Sequence, residues 1–363
     1  MSANERLMLE AVRHRLLLLR YSNSQANAMI KLLQQARPSI WGKVLEKIII
    51  LNIGNMSPAR LQTIARAVLS QVKSEYQAIY LALEKELAAF AQAETTYYHQ
   101  QLTGTPGIAE IMEVKGAQVA LADHKQVLES SLDKPIQNLA LKGWFDKLPA
   151  DTTAAIMRGV QQGVTQGKST MQIINELKAS GTMGNAERNL ATIVHSSISH
   201  VAADARERTA QANEDLIKER LWLSTLDNRT SPMCIVRDHV RYTMKQPIMP
   251  VVKGDPPYGA GPGKLHFRCR SVETWILRSW DDMAPGGDVS KRTRASLDGQ
   301  VPEKMNYRQW LEERASIAVQ DEVLGIVRAE LLRAGKLKVG DFYDDGKMIS
   351  LSELYKKHPE AMK

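Results

Sequence analysis

The sequence contains little cysteine and few aromatic residues. Only 2 of its 363 residues are cysteine, which excludes the disulfide-rich scaffold of a small secreted protein and predicts a reducing compartment. Aromatic residues make up 6% of the chain. Because they are enriched in strands, their scarcity favours helices over a β-sandwich or a β-barrel. The sequence therefore predicts a globular protein in which helix dominates.

Apolar runs are short, and the usual nucleotide-binding motifs are absent. Residues 16–19 are all leucine, but arginines flank them and no small-residue cleavage site follows, so we expect no signal peptide. The run at 48–51 is much shorter than the roughly 18 apolar residues that span a bilayer, so we expect no membrane-spanning segment. Neither GxxxxGK[ST] nor GxGxxG follows a predicted strand, which leaves nucleotide binding without support.

Positive charge is in modest excess. Lys and Arg together number 48 against 40 for Asp and Glu, a net charge of +8, which allows association with a polyanion without requiring it. A basic stretch in the second half of the chain could contact DNA phosphates without reading sequence, and a solvated charged face is the alternative. The candidate DNA contacts are Lys264, Arg268, Arg270, Arg278, Lys291, Arg292 and Arg294.

The first 143 residues carry helical patterns. Residues 1–54 predict two helices broken near Pro38. Apolar residues then recur every three or four positions over about 57–102, where Ser57 is placed to cap a helix and Pro58 to begin it. A helix of this length is typical of an assembly element, because it needs a partner to bury its apolar stripe. Packing against the N-terminal helices of the same chain is the alternative.

The pattern changes after residue 143. We expect a boundary at 144–149, a helix capped by Asp151, and a second helix opened by a Ser169/Gln172 capping box. A third helix is predicted over 185–220, a strand over 221–226 and a turn over 227–232. Residues 247–263 are rich in proline and glycine and predict an irregular loop, after which the run following His266 is expected to pair with the first strand.

The two cysteines stand on either side of this loop. Cys234 and Cys269 meet if the flanking strands pair, and with His239 and His266 they could hold Zn²⁺ tetrahedrally. The spacing is not a standard zinc pattern, so two free buried thiols and no cofactor are the favoured interpretation. A disulfide requires Cα atoms within about 7 Å. A cysteine nucleophile would need a histidine oriented by a third polar group.

Two motifs of this region carry a resemblance to a known family. The matching residues are Trp222, Asp227, Arg229, Thr230, Pro232 and Cys234, followed by His266 and Cys269. In type and order they resemble the head-morphogenesis proteins of tailed phages, typified by the minor head proteins of phages Mu and SPP1, over roughly 150–355. Ser231 and Ser271 stand where the family often has further cysteines, and Phe267 replaces a proline. A four-thiolate metal site is therefore excluded.

The resemblance implies a minor virion protein at the portal vertex or in the head interior, present in the host cytoplasm during assembly. The partners it implies are the portal protein, major capsid or scaffold proteins, double-stranded DNA without sequence specificity and other copies of the chain. It implies that the protein sometimes leaves with the genome, and we expect no membrane contact before ejection. We expect that the protein is not an enzyme. The alternatives are a non-specific nucleic-acid-binding protein outside the virion and a toxin of the ADP-ribosyltransferase type. The toxin would need a Glu-x-Glu pair at a strand edge, whereas Glu84 and Glu86 fall in the predicted long helix.

These observations predict an α+β, predominantly helical protein. Residues 1–143 are expected to form a helical assembly region and 144–283 a head-morphogenesis domain with a small sheet. Residues 284–299 are expected to be a linker, and 300–363 a helical C-terminal tail.

Overall fold

The structure, a computed structural model, describes residues 3–51, 57–114, 118–278, 293–297, 299–302, 304–344 and 347–362. Helices dominate these residues, and the strands form small antiparallel sheets, which confirms the predicted α+β, mainly helical class. Within this part of the chain, no helix has both the length and the apolar character needed to cross a bilayer. The predicted turn at 52–55 and most of the predicted linker at 284–299 lie outside the described residues.

The α-helices are α1 (Ala3–Ile50), α2 (Pro58–Thr103), α3 (Ile108–Val114), α4 (His124–Asp133), α5 (Leu141–Thr165), α6 (Thr170–Ala179), α7 (Thr182–Ala212), α8 (Pro232–Ile235), α9 (Tyr307–Glu313), α10 (Ile317–Leu324), α11 (Ile326–Arg333) and α12 (Leu351–Lys357). The strands are β1 (Ile217–Leu223), β2 (Arg241–Thr243), β3 (Val272–Leu277), β4 (Thr293–Ser296), β5 (Gly299–Pro302), β6 (Tyr343–Asp344) and β7 (Lys347–Met348).

Helix α1 runs without a break through Pro38, so the prediction of two N-terminal helices was wrong. A proline inside a helix removes one backbone hydrogen bond and crowds the preceding turn. Here Leu33 precedes it and Ile40 and Val44 follow it on the buried face, all fully buried. Burial of that apolar face stabilises the helix on both sides of the proline, which sequence propensity alone does not reveal.

The long helix predicted over about 57–102 is α2. Ser57 Oγ accepts the backbone N–H of Arg60 at 3.4 Å, so it caps the helix as predicted. The apolar stripe is buried, and its fully buried members include Ile64, Val68 and Val72. At about 1.5 Å per residue, the 46 residues of α2 extend roughly 70 Å.

Contacts between α1 and α2 cover this stripe from within the chain. Tyr21 and Phe90 stack with ring centroids 4.8 Å apart. Ser39 Oγ donates a hydrogen bond to Glu75 Oε1 at 2.8 Å. Low numbers on α1 meet high numbers on α2, so the two helices are antiparallel. The intramolecular alternative for the long helix is therefore confirmed.

Internal contacts divide the chain into two compact units. The helical unit comprises Leu19–Ala93 and His124–Val201; the sheet unit comprises Met1–Leu18, Glu94–Asp123 and Ala202–Lys363. The boundary predicted at 143/144 falls inside α5, which begins at Leu141 rather than after Asp151. The helix starts early because Leu141, Phe145 and Leu148 already form a buried apolar stripe before Pro149.

Close packing of α5 on α6 is a main feature of the helical unit. A Cβ at Gly163 would lie 2.4 Å from Ile173 Cγ1, so only glycine fits there. The predicted capping box opens α6: Gln172 N donates to Ser169 Oγ at 3.3 Å, and Ser169 N donates to Gln172 Oε1 at 2.8 Å. These contacts confirm the sequence prediction for this helix.

The sheet unit contains a three-stranded antiparallel sheet in the order β2-β1-β3. β1 pairs with β3 over registers that include Trp222 opposite Glu273 and Leu223 opposite Val272. The predicted pairing across the loop is thus confirmed, although β1 begins at Ile217 because α7 ends at Ala212 and not near residue 220. Residues 247–263 contain neither helix nor strand, apart from an isolated bridge at Pro250, as predicted.

The C-terminal helices of the sheet unit surround their own apolar core. The helices predicted near 306–335 are α9, α10 and α11. Fully buried side chains of this core include Tyr307, Trp310, Leu324, Phe342 and Leu354. The segment therefore folds as part of the sheet unit.

Candidate functional site

Two segments that are far apart in sequence meet at one end of the β1–β3 pair. Because Leu223 pairs with Val272, the residues after β1 and those before β3 are neighbours. After β1 the chain turns into the short helix α8, which carries Cys234. Before β3 it makes a tight turn in which Cys269 N donates to His266 O at 3.1 Å. The sheet register therefore brings Cys234 and Cys269 together.

Four side chains form what we call the thiol–imidazole cluster: Ser231, Cys234, His266 and Cys269. The two sulfur atoms are 3.7 Å apart, and both cysteines are buried free thiols. His266 Nε2 lies 3.3 Å from Cys234 Sγ and 2.7 Å from Ser231 Oγ. The donor atoms of Cys234, His266 and Cys269 all lie within 4.8 Å of one another. This arrangement has the geometry of a thiolate pair, a disulfide precursor or a metal site.

The electrostatics of the cluster favour one ionised sulfur. Burial opposes ionisation of Cys269, but hydrogen bonds from Cys234 and His266 outweigh it and hold its pKa well below the ordinary value. The hydrogen bond to Cys269, together with burial, raises the pKa of Cys234. For His266, burial lowers the pKa, and interaction with Cys269 reverses this and gives a net increase. The surroundings therefore favour ionisation of Cys269 over that of Cys234, and protonation of His266.

Arg15 supports the cluster from the N-terminal part of α1. Its Nη2 donates to Cys269 O at 2.6 Å, and its Nε donates to Arg270 O at 3.0 Å. Burial lowers the pKa of this arginine to about 10, while the nearby Cys269 opposes the shift. Sequence reasoning missed Arg15. In the sequence, Arg15 stood out only by its position at the edge of the leucine run at 16–19.

The residues that carry the family resemblance also meet here. Asp227 pairs with Arg270 and accepts the Thr230 hydroxyl at 3.1 Å. The backbone N–H of Arg229 donates to Asp227 Oδ1 at 3.0 Å, which fixes the turn. Pro232 is the first residue of α8, and Trp222 is fully buried on β1. The two motifs, separated by the irregular loop, thus form one contiguous structure.

His239, proposed from the sequence as a metal ligand, is not part of the cluster. Its Nδ1 lies 3.0 Å from Asp238 Oδ2. It lines a cavity of about 320 Å³ that Arg241, Trp275 and other residues also border. His239 lies in the turn after α8 and has a positive φ of 65°. Among the described residues, three of the four candidates from the sequence form the metal-ligand group: Cys234, His266 and Cys269.

A buried ionic network on β1 and β3 was not foreseen. Glu273 accepts hydrogen bonds from Arg220 Nη1 at 3.0 Å and from the Tyr258 hydroxyl at 2.6 Å, and its Oε1 lies 3.6 Å from Arg206 Nε. Burial raises the pKa of Glu273, but the two guanidinium groups outweigh it and give a net decrease. The sequence did not predict this network, because charged residues on strands normally face water.

The candidate DNA contacts divide into buried and exposed residues. Lys264 Nζ binds Asp204 at 2.8 Å and Glu207 at 2.6 Å, with its side chain 9% exposed. Burial lowers its pKa, but the two carboxylates outweigh burial and raise it overall. Arg270 is paired with Asp227. Both cations are therefore engaged inside the fold, which argues against a phosphate contact by either.

The other DNA candidates lie elsewhere. Arg268 and Arg278 are exposed, and Arg278 Nε donates to Glu214 O at 3.2 Å. Burial and the neighbouring Arg229, itself exposed, lower the pKa of Arg268. This basic pair, Arg229 and Arg268, was not identified from the sequence because the two residues stand in different motifs. Lys291 and Arg292 lie outside the described residues, and Arg294 is described in β4 by its backbone alone.

Comparisons of the chain with protein-family models, with curated proteins and with solved structures find no match. Glu84 and Glu86, the pair weighed for a toxin activity, lie inside α2 rather than at a strand edge. The functional interpretation therefore rests on the motif residues and on the structure of the sheet unit.

Proposed function

We propose that the protein is a minor head protein of a tailed phage that acts in head morphogenesis at the portal vertex, without enzymatic activity. The observation that supports this most is the meeting of the two family-like motifs in one structure. Asp227 contacts Arg270, and Cys234 contacts His266 and Cys269 across the irregular loop. The β1–β3 pairing makes these residues neighbours, so the residues that carry the resemblance form one structural unit.

The buried α1–α2 pair changes which residues could contact a portal. The apolar stripe of α2 is covered within the chain, so it offers no docking face. The C-terminal end of α1 does expose apolar surface, at Ile49 and Ile50, which are 62% and 64% exposed. Adjacent exposed apolar side chains can contribute to a contact surface when they belong to a larger apolar patch. We assign the portal contact to this end of α1.

Co-purification with the portal protein from the same genome tests the proposal. The two full-length proteins are co-expressed, treated with nuclease and separated by size exclusion at high salt. We expect the protein to elute with the portal oligomer, because an apolar contact survives salt that screens charge. The double substitution Ile49→Asp and Ile50→Asp should abolish co-elution, since it buries two carboxylates in that contact.

A matched substitution controls for surface polarity. Ile326, at the start of α11, is 64% exposed, as is Ile50, and Ile326→Asp should leave co-elution unchanged. Separate elution of the wild-type protein contradicts the proposal. Co-elution that disappears on nuclease treatment assigns the association to DNA and contradicts direct portal binding.

Association with packaged DNA is a second part of the proposal. Arg229 and Arg268 are both exposed, and the charge of Arg229 acts on Arg268, which precedes Cys269 of the thiol–imidazole cluster. Such a pair can neutralise phosphates without contacting base edges. The net charge of +8 supports the same interaction.

A further inference from the structure

We propose that Cys234, His266 and Cys269 bind one Zn²⁺, with a solvent molecule next to Ser231 as the fourth ligand. The three protein donors are those that the structure brings together on either side of the irregular loop. The geometry of the cluster supports this site independently of the proposed role in head morphogenesis.

Two of the three donor-atom separations match those around a tetrahedral zinc ion, and the third is within 4.8 Å. Zn–S bonds of about 2.3 Å and Zn–N bonds of about 2.0–2.1 Å place two sulfurs about 3.8 Å apart, and a sulfur and a nitrogen about 3.5 Å apart. Here the Cys234 and Cys269 sulfurs are 3.7 Å apart, and Cys234 Sγ is 3.3 Å from His266 Nε2. A disulfide would instead need the sulfurs at about 2.05 Å. The observed separation is the edge of a metal-centred tetrahedron.

The imidazole is oriented as a ligand. His266 Nδ1 lies 2.8 Å from the carbonyl oxygen of Phe267 and donates its proton to it. In the neutral ring this leaves the Nε2 lone pair directed at the sulfurs and the Ser231 hydroxyl. Metal-binding histidines usually have their second nitrogen held by a carbonyl or a carboxylate in this way.

Polar groups surround Cys269. The backbone N–H of Gly263 donates to Cys269 Sγ at 3.3 Å, and the Arg15 guanidinium binds the carbonyl oxygens of Cys269 and Arg270. Two thiolates balance the two charges of Zn²⁺, so the occupied centre is neutral. A neutral centre avoids the penalty of burying an uncompensated charge.

A metal at this position links the two ends of the irregular loop. The segment from β2 to Cys269 contributes little regular structure, and Cys234 and Cys269 lie at opposite ends of the stretch that contains it. Closing a loop by a metal reduces the freedom of the unfolded chain, as a disulfide does. Zinc would therefore order the loop that separates the two motifs.

Ser231 provides a gain-of-function test. Its hydroxyl oxygen, 2.7 Å from His266 Nε2, lies next to the remaining coordination position. Replacing it with cysteine places a thiolate there, and structural zinc sites with four protein ligands bind without a solvent position. We expect Ser231→Cys to bind Zn²⁺ at least about tenfold more tightly, and Ser231→Ala to leave zinc affinity within about threefold of the wild type.

The experiment uses the full-length protein, reduced, freed of metal and titrated with Co²⁺ and then Zn²⁺ in the absence of oxygen. We expect one Co²⁺ per chain with a thiolate-to-cobalt charge-transfer band, which Zn²⁺ displaces. Zinc should also protect both thiols from a thiol reagent. Cys269→Ser should abolish the band, whereas His239→Ala, which changes a histidine outside the cluster, should retain it.

Several results would overturn the proposal. They are a reduced and folded wild-type chain with no charge-transfer band, thiols that zinc does not protect, and uptake that persists in Cys269→Ser. A chain isolated with a disulfide that takes up no zinc after reduction overturns it as well. If Cys269→Ser fails to fold, thiol protection in the wild type and the affinities of Ser231→Cys and Ser231→Ala decide the matter.

Discussion

Replacing Glu273 with glutamine tests how much the buried ionic network of the sheet unit contributes to stability. Glu273 is buried and accepts two hydrogen bonds, from Arg220 at 3.0 Å and Tyr258 at 2.6 Å, and lies 3.6 Å from Arg206. Glutamine keeps the shape of the side chain but removes its charge. Two guanidinium groups then remain buried with no carboxylate from this position.

The structure sets the size of the expected effect. Hydrogen bonds to a charged group contribute about 1.5–3 kcal/mol each, and Glu273 accepts two of them. Removing one partner of a buried ion pair costs about 3–5 kcal/mol. We therefore expect Glu273→Gln to lower the free energy of unfolding of the sheet unit by about 3–5 kcal/mol.

Urea unfolding followed by tryptophan fluorescence measures this change, since Trp222 and Trp275 are buried on the same two strands. Asp344→Asn is the control. It removes the charge of an exposed carboxylate that binds Lys357 at 2.8 Å, and exposed pairs add little to stability. A Glu273→Gln midpoint that coincides with the midpoint of this control would refute the reasoning.

The wild type and Glu273→Gln should also differ in how their stability depends on pH. The pKa of Glu273 is lowered overall, because the Arg220 and Arg206 guanidinium groups outweigh burial. A carboxyl group with a lowered folded-state pKa stabilises the fold above its ordinary pKa of 4.5 and loses that contribution as the pH falls. The stability difference between the wild type and Glu273→Gln should therefore narrow below pH 4.5. A stability difference that stays constant from pH 7 to about pH 3 would contradict the conclusion that Glu273 is ionised in the folded protein.

Two further predictions concern packing and DNA. Gly163→Ala should lower the stability of the helical unit by about 1–3 kcal/mol, because its Cβ would lie 2.4 Å from Ile173 Cγ1. Gly42→Ala, where nothing lies within 4 Å, should instead raise stability by about 0.5–1 kcal/mol in thermal or urea unfolding. Arg229→Ala with Arg268→Ala should weaken binding of double-stranded DNA equally for all sequences and reduce the salt slope by about 1–2 in filter binding. An unchanged slope would remove this pair from the DNA surface.

The candidate site shows which of its residues could be predicted from the sequence. That Cys234, His266 and Cys269 could share a site followed from the pairing expected between the flanking strands, and the structure brings them together. The fourth candidate, His239, was chosen for its residue type and its nearness in sequence. In the structure it has a positive φ and lines a separate cavity, and neither feature is encoded in residue spacing.

The basic residues show a property that the sequence could not predict, namely which of them are exposed. Lys264, Arg268 and Arg270 look alike in sequence, yet Lys264 is buried between Asp204 and Glu207 whereas Arg268 is exposed. The carboxylates that pair with Lys264 lie on α7, far from it along the chain. Whether a cation is available to a partner therefore depends on long-range contacts and not on local charge density.

The sequence by itself determined the long helix α2, the capping box of α6, the irregular loop and the mainly helical class. These features depend on periodicity, capping and turn residues, which act within a few positions along the chain. Tertiary structure alone decided that α1 continues through Pro38, that Glu273 joins two arginines in the core, and that Arg15 contacts the turn at Cys269. Burial supplies the energy for each of these, and burial is set by which distant segments the fold brings into contact.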